Sequence, residues 1–209
     1  KKIQGMSRRE LLIGSATGAG LVIGYSVLPN AVGSASKAIA AGNWDHQQFL
    51  SMSPDGIATV HITKAEIGQH VGTALAQAVA EELEMDWNDV RVDYPDSDAK
   101  WGLMITGGSW SVNWTFDRNS RIGASARIAL IEAGAKLMKV DASECHAKLS
   151  KVIHKSGVSK TYSDILSQSN IDRTFTEEEM KAIKLKKFGE YSLVNHSVPE
   201  LDIPAKIDG

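Results

Sequence analysis

The longest regular pattern in the chain is helical, and it runs from about Asn113 to Met138 with a second half rich in Ala, Ile and Leu. A shorter helical pattern runs from about Thr73 to Glu84. In it, Leu75, Val79 and Leu83 follow one another at a spacing of four residues, which places them on one helix face. Because strand patterns alternate with these helices, the sequence predicts an α+β fold, a mixed α/β domain with hairpins and long helices.

The first strands form a predicted hairpin. Gln47–Met52 and Ile57–Thr63 flank Ser53-Pro54-Asp55-Gly56, in which proline fixes φ and glycine accepts a positive φ. A single alternating strand is predicted from Asp89 to Tyr94, directly after the first helix. The first half of the folded part therefore has the predicted order strand, strand, helix, strand, long helix.

Shorter elements are predicted after the long helix. Asp141-Ala142-Ser143-Glu144 has the pattern of a capping box and predicts a short helix. A second hairpin is predicted from Lys148–Ile153 and Val158–Tyr162, and Ser163 then caps a brief helix to about Ser169. From Val198-Pro199 to the last residue the chain is predicted to be extended. The predicted organisation is a signal-like anchor at 1–40, a folded body at 41–196 and an extended linker at 197–209.

Cysteine content and charge exclude several classes of function. Cys145 is the only cysteine, so the chain alone cannot hold an internal disulfide, an all-cysteine zinc site, an iron–sulfur cluster or a covalently attached haem. The first 40 residues carry five basic groups and one acidic group, which leaves 18 basic and 24 acidic groups in the remainder. A remainder with a net charge of −6 argues against a nucleic-acid partner.

The N-terminus has the features of an export signal. Arg8 and Arg9 precede an uncharged run from Leu11 to Leu28, as in the twin-arginine (Tat) signals that send folded proteins across the bacterial inner membrane. Eighteen helical residues would span roughly 27 Å, close to the thickness of a bilayer core. We expect an uncleaved transmembrane or Tat signal helix at the inner membrane, with the body on the periplasmic side. A buried Gly/Ala helix is the alternative.

Two glycine-bearing loops carry the candidate ligand chemistry. The first glycine loop, Lys64–Thr73, joins a strand to a helix and contains Gly68, Gln69 and Gly72. Glycines permit close approach to backbone amides, and a helix N-terminus favours an anion. We expect Glu66, in the same loop, to hold backbone amides rather than to act as a base. Because strand–glycine–helix turns are common, a loop that merely turns the chain is the alternative.

The second glycine loop, Thr106–Ser111, precedes the long helix and combines two glycines with three hydroxyl side chains. These hydrogen-bond donors surround glycines that have no side chain, so a polar heterocycle or a diphosphate could approach them. The alternative is an ordinary surface loop. Trp101, Trp110 and Trp114 lie nearby, where they either line a pocket or fill a core or an interface. The binding hypothesis requires the two loops to lie side by side.

Conventional catalytic motifs are missing from the sequence. It has no G-x-S-x-G, H-E-x-x-H, P-loop or G-x-G-x-x-G after a strand. The six histidines have no ligand spacing, so no metal-binding residue is predicted. His70 differs from the others only in that it lies inside the first glycine loop.

Four motifs resemble the molybdopterin-binding large subunit of the xanthine dehydrogenase and aldehyde oxidoreductase family, and most of all the isoquinoline 1-oxidoreductase β-subunits and the membrane-bound aldehyde dehydrogenases. The family pattern E-M-G-Q-G-x-x-T corresponds to residues 66–73, A-E-E-L to 80–83 and T-G-G-S-x-S to 106–111. The segment P-x-L-D-x-P-x-K-x-x-G corresponds to residues 199–209, where it precedes a further domain in the family. The resemblance covers almost the whole chain but only the N-terminal third of a family subunit.

The resemblance implies that residues 41–196 are a molybdopterin-binding domain segment and that both loops contact a molybdenum-bearing molybdopterin dinucleotide, which we expect to be the cytosine dinucleotide. His70 stands where the family usually has glycine, and its imidazole offers another way to reach a phosphate. Trp110 stands where an arginine is frequent, which removes one charge from that loop. Carried over position by position, the cofactor-binding residues are Gly68, Gln69, His70, Thr106, Gly107, Gly108, Ser109 and Ser111.

The family's catalytic glutamate lies further downstream, so the resemblance implies no catalytic residue in this chain and no activity of the chain alone. The implied complex hydroxylates an aldehyde or an N-heterocycle with oxygen from water. Its implied partners are the remaining polypeptide of the molybdenum subunit, a 2Fe-2S subunit, the inner membrane and, in some complexes, a c-type cytochrome carrying haem. The alternatives are a non-catalytic membrane-anchoring subunit of such a complex and a small exported ligand-binding domain that acts alone.

Overall fold

The computed structural model describes residues 21–24 and 48–207, which form two small sheets packed against helices. The strands are β1 (Leu21–Gly24), β2 (Gln48–Met52), β3 (Ala58–His61), β4 (Val90–Asp93), β5 (Cys145–Lys148), β6 (Lys151–His154) and β7 (Ser159–Thr161). The helices are α1 (Val71–Leu83), α2 (Ser111–Met138), α3 (Tyr162–Gln168), α4 (Glu177–Ala182) and α5 (Ile203–Ile207).

The first sheet has the strand order β1-β2-β3-β4. The predicted hairpin is confirmed, because β2 and β3 pair antiparallel around a turn in which Gly56 has φ 90°. The next strand, β4, pairs parallel with β3, and parallel neighbours require a crossover. Helix α1 supplies that crossover, so the first glycine loop lies at the carboxyl end of β3 and leads into α1.

Helices α1 and α2 pack closely, and both predicted helices are confirmed within a few residues of their expected ends. Gly123 of α2 lies so near α1 that a Cβ atom built on it would be 2.2 Å from the carbonyl oxygen of Val79. The core between the helices and the first sheet includes the fully buried side chains of Leu50, Leu75, Val90 and Ile122. Burial of such side chains is the main favourable term in the stability of this layer.

The second sheet has the order β5-β6-β7, with both pairs antiparallel. The predicted second hairpin is confirmed as β6 and β7. The predicted short helix after Asp141 was wrong, because only a 3-10 turn forms at Ala142–Glu144 before the chain extends into β5. The cap of α3 is Thr161, which forms a complete capping box with Asp164, rather than Ser163.

The C-terminal part of the chain folds back over α1. The Glu81 carboxylate accepts hydrogen bonds from the consecutive amides of Ser192, Leu193 and Val194 at 2.9, 2.5 and 2.9 Å. The indole nitrogen of Trp87 donates to the carbonyl oxygen of Pro199 at 2.9 Å. The prediction of an extended chain from residue 198 onward was therefore wrong at its end, since α5 forms one short helix there; its role as a linker stays a prediction.

The predicted N-terminal helix falls mostly on residues outside the described part of the chain. Residues 21–24 are the exception, and there the helical prediction was wrong. They form β1, which pairs antiparallel with β2 and includes the β-branched residues Val22 and Ile23, which favour strands. Among the helices of residues 48–207, none is long and apolar enough to cross a bilayer.

Candidate functional site

The two glycine loops meet at their first residues. The amide of Ala65 donates to the hydroxyl oxygen of Thr106 at 2.7 Å, and the Lys64 ammonium donates to the carbonyl oxygen of Ile105 at 3.0 Å. The first glycine loop leaves the sheet after β3, and the second leads into α2. The requirement that the two loops lie side by side is thus met, by contacts between residues 41 positions apart in sequence.

Hydrogen bonds within the first glycine loop close it on itself. One carboxylate oxygen of Glu66 accepts from the amides of Gly68 at 2.7 Å and His70 at 3.0 Å. Burial alone would raise the pKa of Glu66, but these amide hydrogen bonds outweigh it and hold the pKa below its ordinary value. The expectation that Glu66 holds backbone amides is confirmed. It follows that the Gly68 amide already has an acceptor inside the loop.

The side chain of Gln69 is also engaged within this loop. Its amide oxygen accepts from the backbone nitrogen of Ile67 at 2.6 Å, and its amide nitrogen donates to the carbonyl oxygen of Ala65 at 2.9 Å. The loop tip is nevertheless open, since a Cβ atom built on Gly68 would meet nothing within 4 Å. A ligand could approach the backbone of the tip, whereas contact with the Gln69 side chain would require it to leave its present partners.

The His70 imidazole faces the C-terminal segment. Its Nδ1 lies 3.7 Å from a carboxylate oxygen of Asp202, and its Nε2 lies 3.7 Å from Glu200. Both distances exceed a hydrogen bond, and the Nδ1 and Asp202 Oδ1 atoms are buried without another partner. His70 also has φ 55°, a left-handed conformation that costs a non-glycine residue energy. No local sequence pattern around His70 indicated this contact with Asp202.

Tyr94 supports the start of α1. A Cβ atom built on Gly72 would lie 2.0 Å from the Tyr94 hydroxyl oxygen, so glycine is required for this approach. Burial, followed by the charges of Asp202 and Glu66, raises the pKa of Tyr94 to about 12. The phenol is therefore neutral at physiological pH and available as a hydrogen-bond donor.

The second glycine loop has two consecutive left-handed residues, Gly108 with φ 59° and Ser109 with φ 58°. The amide of Trp110 closes the turn by donating to the carbonyl oxygen of Gly107 at 3.2 Å. No side chain caps α2, whereas Thr161 and Thr176 cap α3 and α4 with complete capping boxes. Because the first amides of a helix have no acceptor within it, α2 presents uncapped donors at the end of this loop.

A cavity of about 290 Å³ lies beside the second glycine loop. The predicted residues Thr106, Gly107, Gly108 and Ser111 line it, but Gly68, Gln69, His70 and Ser109 do not. Trp110 and Trp114 form part of its wall with ring centroids 4.2 Å apart, and each is about half exposed. Trp101 instead packs against Phe49 and His61. The remaining lining residues are Lys64, Leu103 and Ile105.

Lys64 lines this cavity, although it lies outside the glycine and hydroxyl residues that the motifs indicated. It is only 6% exposed, although it follows the strand pair at the start of a loop. The alternation along the strand could have indicated that Lys64 is buried. Ala58, Val60 and Ile62 are buried, and position 64 continues the same period of two. A buried lysine at an otherwise apolar position is expected to have a functional or structural partner.

No group of three or more His, Cys, Asp or Glu side chains within residues 21–24 and 48–207 is arranged to hold a metal. Two histidines pair with single carboxylates instead, His61 with Asp93 at 2.8 Å and His154 with Glu144 at 3.0 Å. The site's chemistry is that of hydrogen-bond donors, one buried cation and aromatic walls. This donor set fits an anionic ligand with a flat ring, such as a pterin dinucleotide.

Comparisons with known proteins agree with this chemistry. Residues 4–200 match the family model described as a molybdopterin cofactor-binding domain. Over 98% of its length, the chain is 39% identical to a membrane-bound aldehyde dehydrogenase of Gluconacetobacter polyoxogenes, whose name carries the qualifier pyrroloquinoline-quinone. Over 98% of its length it is also 26% identical to isoquinoline 1-oxidoreductase subunit beta of Brevundimonas diminuta. The alignments cover 27% and 31% of these relatives.

A solved structure shares the fold. The crystal structure of a Cu,Mo-CO dehydrogenase in its carbon monoxide reduced state matches 65% of this chain and 21% of its own with a TM-score of 0.50 and 14% identity. At that identity the likeness concerns the fold alone. The family model, in contrast, covers nearly the whole sequence, and both relatives are oxidoreductases by name. The chain therefore belongs to the family of molybdopterin cofactor-binding domains, as the motif resemblance had indicated.

Proposed function

We propose that this chain holds a molybdenum-bearing molybdopterin dinucleotide, in its cytosine form, at the second glycine loop. The proposed complex oxidises aldehydes or N-heterocycles with water as the oxygen donor. The observation that carries the proposal is the cavity, in which Thr106, Gly107, Gly108 and Ser111 adjoin the uncapped start of α2. When bound, the cofactor supplies the redox chemistry, and this chain supplies binding and orientation.

The residues of the second glycine loop have distinct proposed roles. A side chain at Gly107 would point into open space, so the backbone there can be approached closely. Thr106 is held by the Ala65 amide and fixes the entrance of the loop. Ser111 adds a hydroxyl group to the cavity lining, Ser109 would add another from outside that lining, and the aromatic wall of Trp110 and Trp114 would exclude water from one side.

The first glycine loop has an indirect proposed role. Gly68, Gln69 and His70 would form a surface for another part of the dinucleotide at the open loop tip, while Glu66 keeps the tip in shape by accepting from the Gly68 and His70 amides. The His70 amide already donates to Glu66, and its imidazole lies 3.7 Å from Asp202, so either group would reach the cofactor only by leaving its present neighbour. This chain contributes no proposed catalytic or metal-binding residue and is proposed to be inactive alone.

The proposed setting is a complex at the periplasmic side of the bacterial inner membrane, reached by Tat export. Support comes from the paired arginines before an uncharged run and from one relative being named membrane-bound. The other relative is named as a subunit, which supports a complex of several chains. We propose as partners the rest of the molybdenum subunit with its catalytic glutamate, a 2Fe-2S subunit and, in some complexes, a c-type cytochrome with haem.

A second candidate function is a non-catalytic anchoring subunit that keeps the fold without binding a cofactor. The closed first glycine loop favours it, because the Gly68 amide and the Gln69 side chain already have partners within the loop. The qualifier pyrroloquinoline-quinone in one relative's name adds a different cofactor to be tested. Cofactor extraction separates these possibilities, since pterin, quinone and empty protein give different products.

The test is cofactor loading of the purified complex that contains this chain. Gly107→Val adds a branched side chain where space is open, and we expect it to weaken cofactor binding about tenfold, a loss of about 1.4 kcal/mol, and so to lower molybdenum and pterin content. Ser159→Val, on the exposed part of β7, is the matched control and should load normally. Full loading of the Gly107 variant, or a quinone in place of pterin, would contradict the proposal.

A further inference from the structure

Two cations that lie near each other, Lys64 and Arg118, have no carboxylate partner among the described residues, and Lys64 lines the cavity. Lys64 is buried, lines the cavity and makes one hydrogen bond, to the carbonyl oxygen of Ile105. Arg118, on α2, lies with its guanidinium carbon 4.0 Å from the ring centroid of Phe49. Neither forms an ion pair with any Asp or Glu among the described residues, and Arg118 Nε is buried without a hydrogen bond.

Two other cations that pack against α1 among the described residues are paired. Lys186 contacts Glu81 at 2.6 Å and Glu84 at 2.7 Å, and Arg127 contacts Glu82 at 3.4 Å. A buried charge without a partner is costly, so the fold gains nothing from leaving two of them near each other. A buried, unpaired lysine in the cavity wall, with an unpaired arginine close to it, is therefore better explained by an anion that binds in the cavity.

The electrostatics of the two groups agree with this explanation. Burial, followed by the charge of Arg118, lowers the pKa of Lys64 below its ordinary value. Burial also lowers the pKa of Arg118 to about 10, which leaves the guanidinium charged at neutral pH. An anion bound at Lys64 would reduce the repulsion between the two cations. It would also compensate the Lys64 ammonium for the water contacts that burial removes.

The surroundings of Lys64 narrow the chemistry of that anion. The uncapped start of α2 adds the positive end of a 28-residue helix to the same cavity. Leu103, Ile105 and Trp110 make the rest of the wall largely apolar, which strengthens charge interactions inside it. Trp110 and Trp114 offer flat ring surfaces beside the charge. A phosphate attached to a planar heterocycle could pair with the Lys64 ammonium and accept hydrogen bonds from the start of α2. Its ring could then stack on Trp110 and Trp114.

We propose that Lys64 is the counter-charge for a phosphate group in this cavity, with Arg118 reinforcing the positive potential from behind. This inference rests on the proposed cofactor site and assigns its phosphate end to Lys64. The inference thus adds Lys64 and Arg118 to the residues that act on the ligand, and both lie outside the glycine motifs. The ring of the same ligand would lie against Trp110 and Trp114.

The test uses the full chain produced in a host that cannot make the cofactor, with inorganic pyrophosphate as the probe in titration calorimetry. We expect Lys64→Gln to raise the dissociation constant for pyrophosphate about tenfold, since about 1.4 kcal/mol of binding is lost. Lys64→Arg should restore most of the affinity. Lys148→Gln removes the same charge from an exposed position on β5 and should change nothing. Unchanged affinity in Lys64→Gln would overturn the inference.

A second measurement keeps this test separate from the proposed function. Molybdenum and pterin are quantified in the complex that carries Lys64→Gln and in the unsubstituted complex. Empty unsubstituted complex refutes the proposed function, whereas equal loading of both complexes refutes only the role of Lys64. If Lys64→Gln does not fold, as judged by its melting temperature, Lys64→Met keeps the apolar stem of the side chain and takes its place.

Discussion

The backbone nitrogen of Ala65 donates a 2.7 Å hydrogen bond to the hydroxyl oxygen of Thr106, and this contact joins two glycine loops that are far apart in sequence. It fixes the first loop relative to the second at the point where Lys64 enters the cavity. The geometry of the proposed cofactor site therefore depends on one side-chain hydroxyl that the motif resemblance assigned to direct cofactor contact.

Replacing Thr106 should separate these two roles. Thr106→Val keeps the shape but leaves the Ala65 amide without an acceptor, so we expect a loss of about 1 kcal/mol in the free energy of unfolding and lower cofactor loading. Thr106→Ser retains the hydroxyl and should restore both. Chemical denaturation and molybdenum analysis give the two readouts. Normal loading of Thr106→Val would show that the bond does not shape the site.

Gly72→Ala should destabilise the start of α1. The added Cβ atom would overlap the Tyr94 hydroxyl at 2.0 Å, and we expect a loss of about 2 kcal/mol from overpacking. Removing the hydroxyl in the double variant Gly72→Ala/Tyr94→Phe should recover part of this loss. The free energies of unfolding of the two single variants and the double variant form a cycle, and strict additivity in that cycle would contradict the clash.

Two adjacent buried glutamates should respond differently to substitution. Glu81 is 1% exposed and is bound by Lys186 and three backbone amides, whereas Glu82 is 2% exposed and keeps one carboxylate oxygen without a hydrogen bond. We expect Glu81→Gln to cost about 2–4 kcal/mol of unfolding free energy at neutral pH. Glu82→Gln should change it by less than about 1 kcal/mol, because that carboxylate is poorly compensated.

The pH dependence of these two variants should have opposite signs. Burial raises the pKa of Glu81, but Lys186 and the amides outweigh burial and lower it, so its stabilisation is lost as pH falls through the folded-state pKa. Burial dominates at Glu82 and raises its pKa, so its stabilisation is lost as pH rises through that value. The deficit of Glu81→Gln should therefore shrink in acid. Denaturation curves at several pH values that show parallel shifts would contradict this.

Asp202→Asn should lower the pKa of Tyr94 from about 12. Burial is the largest cause of the raised value, and the negative charge of Asp202 is the next, because it opposes formation of a phenolate. An ultraviolet absorbance titration of the variant, with Tyr94→Phe used to identify the transition, measures the shift. An unchanged transition would mean that Asp202 does not lie near the phenol in solution.

Local sequence patterns predicted much of the fold. Ser53-Pro54-Asp55-Gly56 indicated the first hairpin, and the spacing of Leu75, Val79 and Leu83 indicated α1. The prediction of a helix after Asp141 was wrong, because Asp141 caps a 3-10 turn that ends at Glu144, where the chain enters β5 and pairs with β6. Pairing partners of this kind are set by tertiary structure, which local patterns do not contain.

The candidate site was predictable in part. Glycines and hydroxyl groups marked Thr106, Gly107 and Gly108 as potential ligand contacts, and these residues line the cavity. Lys64 and Arg118 were not predicted, because burial of a charged side chain depends on neighbours that come from distant segments. The contact of His70 with Asp202 was also missed, since it joins the first glycine loop to a segment 132 positions later.

The most direct test of the account is an experimental structure of the purified complex with its native cofactor. We predict density for a pterin dinucleotide within hydrogen-bond distance of the Gly107–Ser109 backbone, with a phosphate oxygen at the Lys64 ammonium. Water or packed apolar side chains in the cavity, with the cofactor bound elsewhere or missing, would contradict the central claim that this loop holds the cofactor.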